Sequence, residues 1–133
     1  MEDSSFPTMT DFDRTILLVE DDELLRDAFR LLLEDAGYQV LEAGTAAHAL
    51  STARERMPAL VILDLGLPDR PGLEVVRDLR QDPDLQDTPV VALTGRVGED
   101  ERQACLDAGC NRYMPKPVAP SDLLRELPEL LRR

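Results

Sequence analysis

Several residue types are scarce in this chain of 133 residues, and each shortage excludes a class of site. Histidine occurs once and tryptophan not at all, so metal centres built from several histidines are excluded. The two cysteines, Cys105 and Cys110, are too few for a disulfide framework and lack the two-residue gap of a metal or redox pair. This usage favours a reducing, cytoplasmic environment. No apolar run approaches the roughly 20 residues of a membrane span.

Basic side chains are also in the minority, with 15 against 27 acidic ones and a formal net charge of -12. Lysine occurs once, at Lys116, and arginine supplies all the other basic side chains. An acidic surface without a separate basic cluster repels nucleic-acid phosphates and anionic lipid headgroups. We therefore expect neither a nucleic acid nor a membrane as a partner, whereas a cation or a basic protein surface suits the charge.

The length of the chain and its hydrophobic share of 43% are those of one globular domain. The first thirteen residues, MEDSSFPTMTDFD, show neither helical nor strand periodicity. We therefore expect a flexible N-terminal tail over residues 1–13 and one domain over residues 14–133.

From Thr15 onward, short apolar runs alternate with longer segments whose apolar residues recur at helical spacing. The predicted strands cover residues 15–19, 39–43, 60–63, 89–93 and 111–114. The predicted helices cover residues 24–36, 46–57, 72–81 and 99–108, and a last helix begins at Pro120. Pro128 is expected to kink or shorten that helix because proline lacks the backbone N–H.

Strand and helix alternate five times, and the run LVIL at residues 60–63 is apolar on both faces. A central parallel strand covered by helices on both sides requires such a run. The pattern predicts an α/β fold with a doubly wound, five-stranded parallel sheet. In such sheets ligands bind beyond the carboxyl ends of the strands.

Chemically useful side chains follow four of the predicted strands. Glu20 and Asp21 follow the first, Asp64 the third, Thr94 the fourth and Lys116 the fifth. Three carboxylates brought together at one edge of a sheet favour a hard divalent cation, with Mg²⁺ the first choice. A phosphoryl group can then enter an open coordination position, with the lysine and the threonine binding its other oxygens. Asp64 is then a candidate nucleophile that forms an aspartyl phosphate.

Each of these residues has an ordinary structural explanation when it is taken alone. The acidic residues at 20–23 could simply open a helix, where the helix dipole and capping favour them. Asp64 could form a turn, and Lys116 could be a surface lysine. The combination of four strand ends that each carry the required residue type favours the phosphoryl-transfer site.

The segments around these residues resemble the receiver domain of two-component response regulators, the CheY-like family. The matching segments are ILLVEDDELLRDAF, LVILDLGLPDRPGLEVVRDLR, PVVALTG and AGCNRYMPKPV. The resemblance covers the chain from about residue 14 to its end. It implies a flavodoxin-like (βα)5 fold with the strand order 2-1-3-4-5 and a response regulatory domain over residues 14–133.

The resemblance also implies a function in a two-component phosphorelay. Asp64 would accept a phosphoryl group from a sensor histidine kinase or a histidine phosphotransfer protein. Glu20, Asp21, Asp64 and the backbone carbonyl of Gly66 would hold Mg²⁺ or Mn²⁺, with Asp21 as a direct ligand. The domain would be a signalling module rather than an enzyme, although it would assist its own phosphorylation and dephosphorylation.

Further roles follow from the same resemblance. Thr94 and Lys116 match the phosphate-binding residues, the Lys116–Pro117 peptide bond is expected to be cis, and Tyr113 matches an aromatic switch position. Phosphorylation would draw Thr94 inward and let Tyr113 turn, which would change the surface formed by helix four, strand five and helix five for a downstream protein. We expect a monomer or a weak, phosphorylation-dependent dimer. Whether the chain acts alone or belongs to a longer protein stays open.

Two positions are less typical of the family, and we expect both to tune the lifetime of the aspartyl phosphate. Gly66 places no side chain over the acceptor, and Arg96 places a long cation at the rim of the site. Gly66 also stands where aspartyl-nucleophile phosphatases need a second aspartate, which disfavours that class of enzyme. The acidic residues after strand one disfavour a flavin-binding protein, which leaves a phosphorylation-independent interaction module as the main alternative.

Overall fold

The computed structural model describes residues 14–131, so the predicted tail over residues 1–13 lies outside the described residues. Five strands alternate with five helices. The strands are β1 Thr15–Val19, β2 Gln39–Ala43, β3 Leu60–Asp64, β4 Val90–Thr94 and β5 Arg112–Pro115. The helices are α1 Glu23–Asp35, α2 Ala46–Arg56, α3 Gly72–Gln81, α4 Glu99–Ala108 and α5 Pro120–Leu131. Among these residues, no helix has the length and apolar character needed to span a membrane.

All strand pairs are parallel, and the sheet order is β2-β1-β3-β4-β5, which confirms the predicted fold and strand order. Successive strand residues point to opposite faces, so the core divides into two layers. One layer packs α2, α3 and α4 against one face, and the other packs α1 and α5 against the opposite face. Every residue of β3 is buried, as expected for its central place.

The last three strands end one residue later than the sequence pattern predicts. Asp64 and Thr94 are therefore the final residues of β3 and β4 rather than the first residues of loops. Asp64 pairs in register with Leu93, and Thr94 pairs with Pro115. The sheet itself thus fixes where the Asp64 and Thr94 side chains begin.

The predicted shortening of the last helix at Pro128 does not occur, because α5 continues through it to Leu131. Pro128 is exposed, whereas Leu127 and Leu130 on either side of it are buried in the core. Apolar packing against the sheet therefore holds the last turn even though proline removes one backbone hydrogen bond.

The end of the sheet where β4 and β5 begin, called here the amino edge, is organised by the Arg80 guanidinium. Nε and Nη2 of Arg80 donate to the Gly109 carbonyl oxygen at 3.1 and 2.8 Å. Nη1 donates to the carbonyl oxygens of Gln86 and Thr88 at 3.1 and 2.8 Å, and Nη2 also reaches Asn111 Oδ1 at 3.0 Å. One side chain thereby ties α3 to the loops that precede β4 and β5.

Candidate functional site

The opposite end of the sheet, called here the carboxyl edge, opens into a cleft of about 930 Å³. Glu20, Asp21 and Asp64 line it, and each offers a carboxylate oxygen within 4.8 Å of the others. We call these three residues the acid cluster. Glu20 and Asp64 are buried, with 2% and 4% of their surface exposed, while Asp21 is exposed to solvent. β1 and β3 are neighbours in the sheet, so their ends bring the three side chains together.

Lys116 provides the positive charge at the acid cluster. Its Nζ lies 3.0 Å from Asp64 Oδ1 and 3.3 Å from Glu20 Oε1. The backbone N–H of Lys116 donates to the Thr94 carbonyl oxygen at 2.7 Å, which continues the pairing of β4 and β5. The peptide bond between Lys116 and Pro117 is cis. One ammonium thus contacts two of the three carboxylates of the acid cluster.

The pKa values of Glu20 and Lys116 are both raised above their ordinary values. Removal from water raises the pKa of Glu20 to about 7, and the neighbouring Asp64 carboxylate adds to the increase. The Asp22 backbone N–H, which donates to Glu20 Oε2 at 3.1 Å, and Lys116 act in the opposite direction. Burial alone would lower the pKa of Lys116, but the hydrogen bond and charge of Asp64, with those of Glu20, raise it. Glu20 therefore holds its negative charge less readily than an exposed glutamate does, and Lys116 holds its positive charge more readily than an exposed lysine does.

The donor set of the acid cluster fits a hard divalent cation. Carboxylate oxygens are the ligands that Mg²⁺ prefers, and an exposed carboxylate leaves room for the waters that this ion keeps. Within residues 14–131, the acid cluster is the one group of three or more acidic, thiol or imidazole side chains close enough to share a metal ion. Gly66 lies beside it, where its N–H donates to Asp64 Oδ1 at 3.2 Å.

Thr94 and Tyr113 are linked through the backbone of Arg96. The buried Thr94 hydroxyl accepts a hydrogen bond from the Arg96 N–H at 3.0 Å. The Tyr113 hydroxyl donates to the Arg96 carbonyl oxygen at 2.8 Å, and the tyrosine ring is half-buried against the core. A displacement of the threonine hydroxyl therefore changes the hydrogen bonding of the residue that holds the tyrosine.

The mouth of the cleft is open above Asp64. A Cβ atom added at Gly66 would lie 3.9 Å from Asp64 Oδ1, in ordinary van der Waals contact. Arg96 is exposed and lines the same cleft. Both positions therefore line the cleft that holds the Asp64 carboxylate.

The sequence pattern does not predict two hydrogen-bonded contacts at this edge. Arg26 Nη1 donates to the Glu20 carbonyl oxygen at 2.9 Å, so α1 supports the end of β1. The Asp69 carboxylate accepts hydrogen bonds from the backbone N–H groups of Ala46 and Ala47 at 2.8 and 3.0 Å. An arginine on an amphipathic helix and an aspartate in a proline-rich loop have ordinary local explanations, so no sequence signal marks their distant partners.

Comparison with known proteins agrees with this geometry. A family model described as the response regulator receiver domain matches residues 16–128. The KDP operon transcriptional regulatory protein KdpE of Escherichia coli is 43% identical over 118 residues, which are 89% of this chain and 51% of that protein. The chain thus spans about half the length of KdpE. The polar-differentiation response regulator DivK of Brucella ovis is 35% identical over 106 residues, 80% of this chain and 86% of that protein.

Solved structures give the same result. A CheY-like response regulator receiver domain protein from Methanospirillum hungatei matches with a TM-score of 0.83 and 31% identity, covering 89% of this chain and 93% of that one. The receiver domain of a sensor histidine kinase from Pseudomonas aeruginosa matches with a TM-score of 0.83 and 28% identity. The match covers 90% of this chain and 98% of that one. The structure of that receiver domain has a magnesium ion coordinated in its active-site cleft.

Proposed function

The chain belongs to the response regulator receiver domain family of two-component systems, and on that premise we propose that Asp64 accepts a phosphoryl group in a Mg²⁺-dependent reaction. The donor is a sensor histidine kinase or a histidine phosphotransfer protein. The single observation that carries the proposal is the position of Asp64, which lies in the acid cluster with one oxygen 3.0 Å from Lys116 Nζ. Receiver domains are signalling domains rather than classical enzymes, and this chain assists its own phosphorylation and dephosphorylation.

The residues that would hold the cation are the carboxylates of the acid cluster and the Gly66 carbonyl oxygen. The excess of carboxylates over ammonium groups supports this assignment, as does the exposed position of Asp21. When bound, Mg²⁺ or Mn²⁺ would neutralise negative charge on the phosphoryl oxygens.

The chain's own residues account for the remaining steps. A carboxylate oxygen of Asp64 attacks the phosphorus of a phosphohistidine, a P–O bond forms, and the P–N bond to the donor imidazole breaks. Lys116 already contacts Asp64, so its ammonium is in place to pair with a phosphoryl oxygen once the carboxylate becomes an acyl phosphate. The Thr94 hydroxyl supplies a further hydrogen bond to the phosphoryl group.

The signal then passes from Thr94 to Tyr113. When the Thr94 hydroxyl turns toward the phosphoryl group, it gives up the hydrogen bond from the Arg96 N–H. Arg96 also accepts from Tyr113, so the tyrosine and the surface formed by α4, β5 and α5 respond to the same event. A downstream protein, or weakly a second copy of the chain, reads this surface.

We further propose that Gly66 and Arg96 set the lifetime of the aspartyl phosphate. A side chain at position 66 would stand beside the acceptor oxygen, and Arg96 partly screens the path of attacking water. Hydrolysis of the acyl phosphate is measured in Gly66→Asn and Arg96→Ala, and we expect its rate to change in both. An unchanged rate in both variants contradicts this role.

The main proposal is tested by incubation with Mg²⁺ and a small-molecule phosphodonor, followed by intact-mass measurement. We expect the wild type and the control Asp84→Asn, which changes an exposed loop, to gain one phosphoryl group. Asp64→Asn gains none, and removal of Mg²⁺ by a chelator stops the reaction. A folded wild type that gains no phosphoryl group, or an Asp64→Asn variant that gains it equally, contradicts the proposal and leaves the phosphorylation-independent interaction module.

A further inference from the structure

The loop over residues 65–71, called here the acceptor loop, connects Asp64 to α3 and carries Gly66. One side chain of this loop, Asp69, accepts hydrogen bonds from the backbone of helix α2. Asp69 Oδ1 accepts from the Ala46 N–H at 2.8 Å, and Oδ2 accepts from the Ala47 N–H at 3.0 Å. These are the first two residues of α2, more than twenty positions earlier in the chain.

The chemistry of this contact is that of a helix N-terminus. The first N–H groups of a helix have no partner within it, and the helix dipole favours a negative charge there. Both oxygens of Asp69 are used, and these hydrogen bonds lower its pKa. Helix α2 also has a local cap, because Thr45 Oγ1 accepts from the His48 N–H at 3.1 Å. The helix is therefore capped twice, once from its own turn and once from the acceptor loop.

Near Gly66, the acceptor loop is also held by the Gly66 N–H, which donates to Asp64 Oδ1, and by Leu67, which packs against the core. The loop closes at its base, where the Gly72 N–H donates to the Leu65 carbonyl oxygen at 3.0 Å. Arg70 contacts Glu74 and Asp78, both on the helix that directly follows. Asp69 thus connects the loop to the N-terminus of α2, outside α3 and the base of the loop.

We propose that Asp69 is a positioning residue that anchors the acceptor loop to the N-terminus of α2 and thereby holds Gly66 beside the acid cluster for cation binding. The inference rests on the proposed function, because it concerns the same site. Asp69 does not itself touch the cation or the phosphoryl group. Its effect passes through the backbone of residues 66–68, which it keeps in one arrangement.

The test compares Mg²⁺ binding by calorimetry in the wild type, Asp69→Ala, Asp69→Asn and Thr45→Ala. Thr45→Ala is the matched control, because it removes the other cap of the same helix and leaves the acceptor loop intact. We expect Asp69→Ala to weaken Mg²⁺ binding by about tenfold, because substitution of a residue that supports metal ligands typically lowers metal affinity by about that factor. Asp69→Asn, which keeps one acceptor oxygen, should recover part of the affinity, and Thr45→Ala should bind as the wild type does.

Three outcomes overturn the inference. The first is that Asp69→Ala binds Mg²⁺ as tightly as the wild type. The second is that Thr45→Ala loses as much affinity as Asp69→Ala, which would show that the effect comes from the stability of α2. If Asp69→Asn binds as weakly as Asp69→Ala, loss of charge rather than loss of anchoring explains the result.

A metal-free measurement separates this inference from the proposed function. If the wild type binds no Mg²⁺, the metal part of the proposed function fails, and amide hydrogen exchange of Gly66 and Leu67 still tests the anchor. Faster exchange in Asp69→Ala than in Thr45→Ala supports the anchor, and equal exchange in the two variants overturns it.

Discussion

The two ends of the sheet each depend on one basic side chain, and they use it differently. At the carboxyl edge, Lys116 contacts the buried carboxylates Glu20 and Asp64. At the amino edge, Arg80 donates to the carbonyl oxygens of three residues and to the side-chain oxygen of Asn111. The ammonium pairs with carboxylates, whereas the guanidinium donates to several carbonyl oxygens that its planar fork can bond simultaneously.

This difference separates function from stability within one fold. The carbonyl oxygens that accept from Arg80 belong to loops, so its hydrogen bonds hold those loops together. The carboxyl edge gathers three carboxylates around one ammonium, which costs stability. In the proposed function, that cost prepares the site for a cation and a phosphoryl group. Substitutions that exchange lysine and arginine keep the charge and test whether the two edges are in fact distinct.

The largest effect is expected from Lys116→Arg. The variant keeps a positive charge near Asp64 but replaces a compact ammonium with a larger planar group that the buried site does not fit. We expect phosphorylation by a small-molecule donor to slow by about 100-fold, the scale seen when one transition-state contact is lost. The rate is measured by intact mass, and urea unfolding should show a stability within about 1 kcal/mol of the wild type. An unchanged rate would show that only charge matters at this edge.

The reciprocal change, Arg80→Lys, should leave phosphorylation unchanged and reduce stability. A lysine cannot bond the carbonyl oxygens of Gln86, Thr88 and Gly109 together, so several hydrogen bonds are lost. We expect the free energy of unfolding in urea to fall by about 1–3 kcal/mol. If Arg80→Lys were fully stable but phosphorylated slowly, the amino edge would contribute to phosphorylation rather than to stability, which contradicts the proposed difference between the edges.

Mg²⁺ should act on the carboxyl edge alone. Binding to the folded state adds about 1.4 kcal/mol of stability at ten times the dissociation constant. We expect that increment in thermal unfolding of the wild type and of Arg80→Lys, and we expect Asp21→Asn to lose it. An equal increment in Asp21→Asn would remove Asp21 from the set of metal ligands.

The smallest effect concerns the thiols near the amino edge. Burial raises the pKa of Cys110 to about 12, and Cys105 is also buried. The thiolate is the reactive form, so alkylation at pH 8 should be slow in the native wild type and fast in urea. Arg80→Lys loosens the Gly109 turn beside Cys110 and should speed native alkylation several-fold. Lys116→Arg is the control, and its thiols should react as slowly as those of the wild type.

The alternation of apolar runs and helical spacing was sufficient to predict the five strands, their parallel arrangement and the two-layered core. Periodicity depends on neighbouring positions, and here each element follows it closely. The end of a strand depends on pairing with its neighbour, which explains why Asp64 and Thr94 extend β3 and β4 by one residue. Pro128 shows the same limit, because tertiary packing outweighs its local cost.

The candidate site was predictable to the extent that its residues stand at strand ends. Topology brings such positions to one edge, so the acid cluster and Lys116 could be grouped from sequence alone. The roles of Asp69 and Arg80 could not, because their partners are backbone groups on distant segments. Every residue type has nearly the same backbone groups, so the sequence does not indicate which of them will be the partners.

Because β5 lies at the edge of the sheet, the candidate site depends on whether this strand stays paired. Among residues 14–131, β4 is the one strand that pairs with β5, and β5 leads directly into Lys116. If the strand detached, the acid cluster would stay on β1 and β3 but lose its ammonium. Because the detached form would attract a divalent cation more strongly and an acyl phosphate less strongly, cation binding and phosphorylation would shift the docking of this strand in opposite directions. Amide hydrogen exchange of residues 112–115 would reveal such a shift.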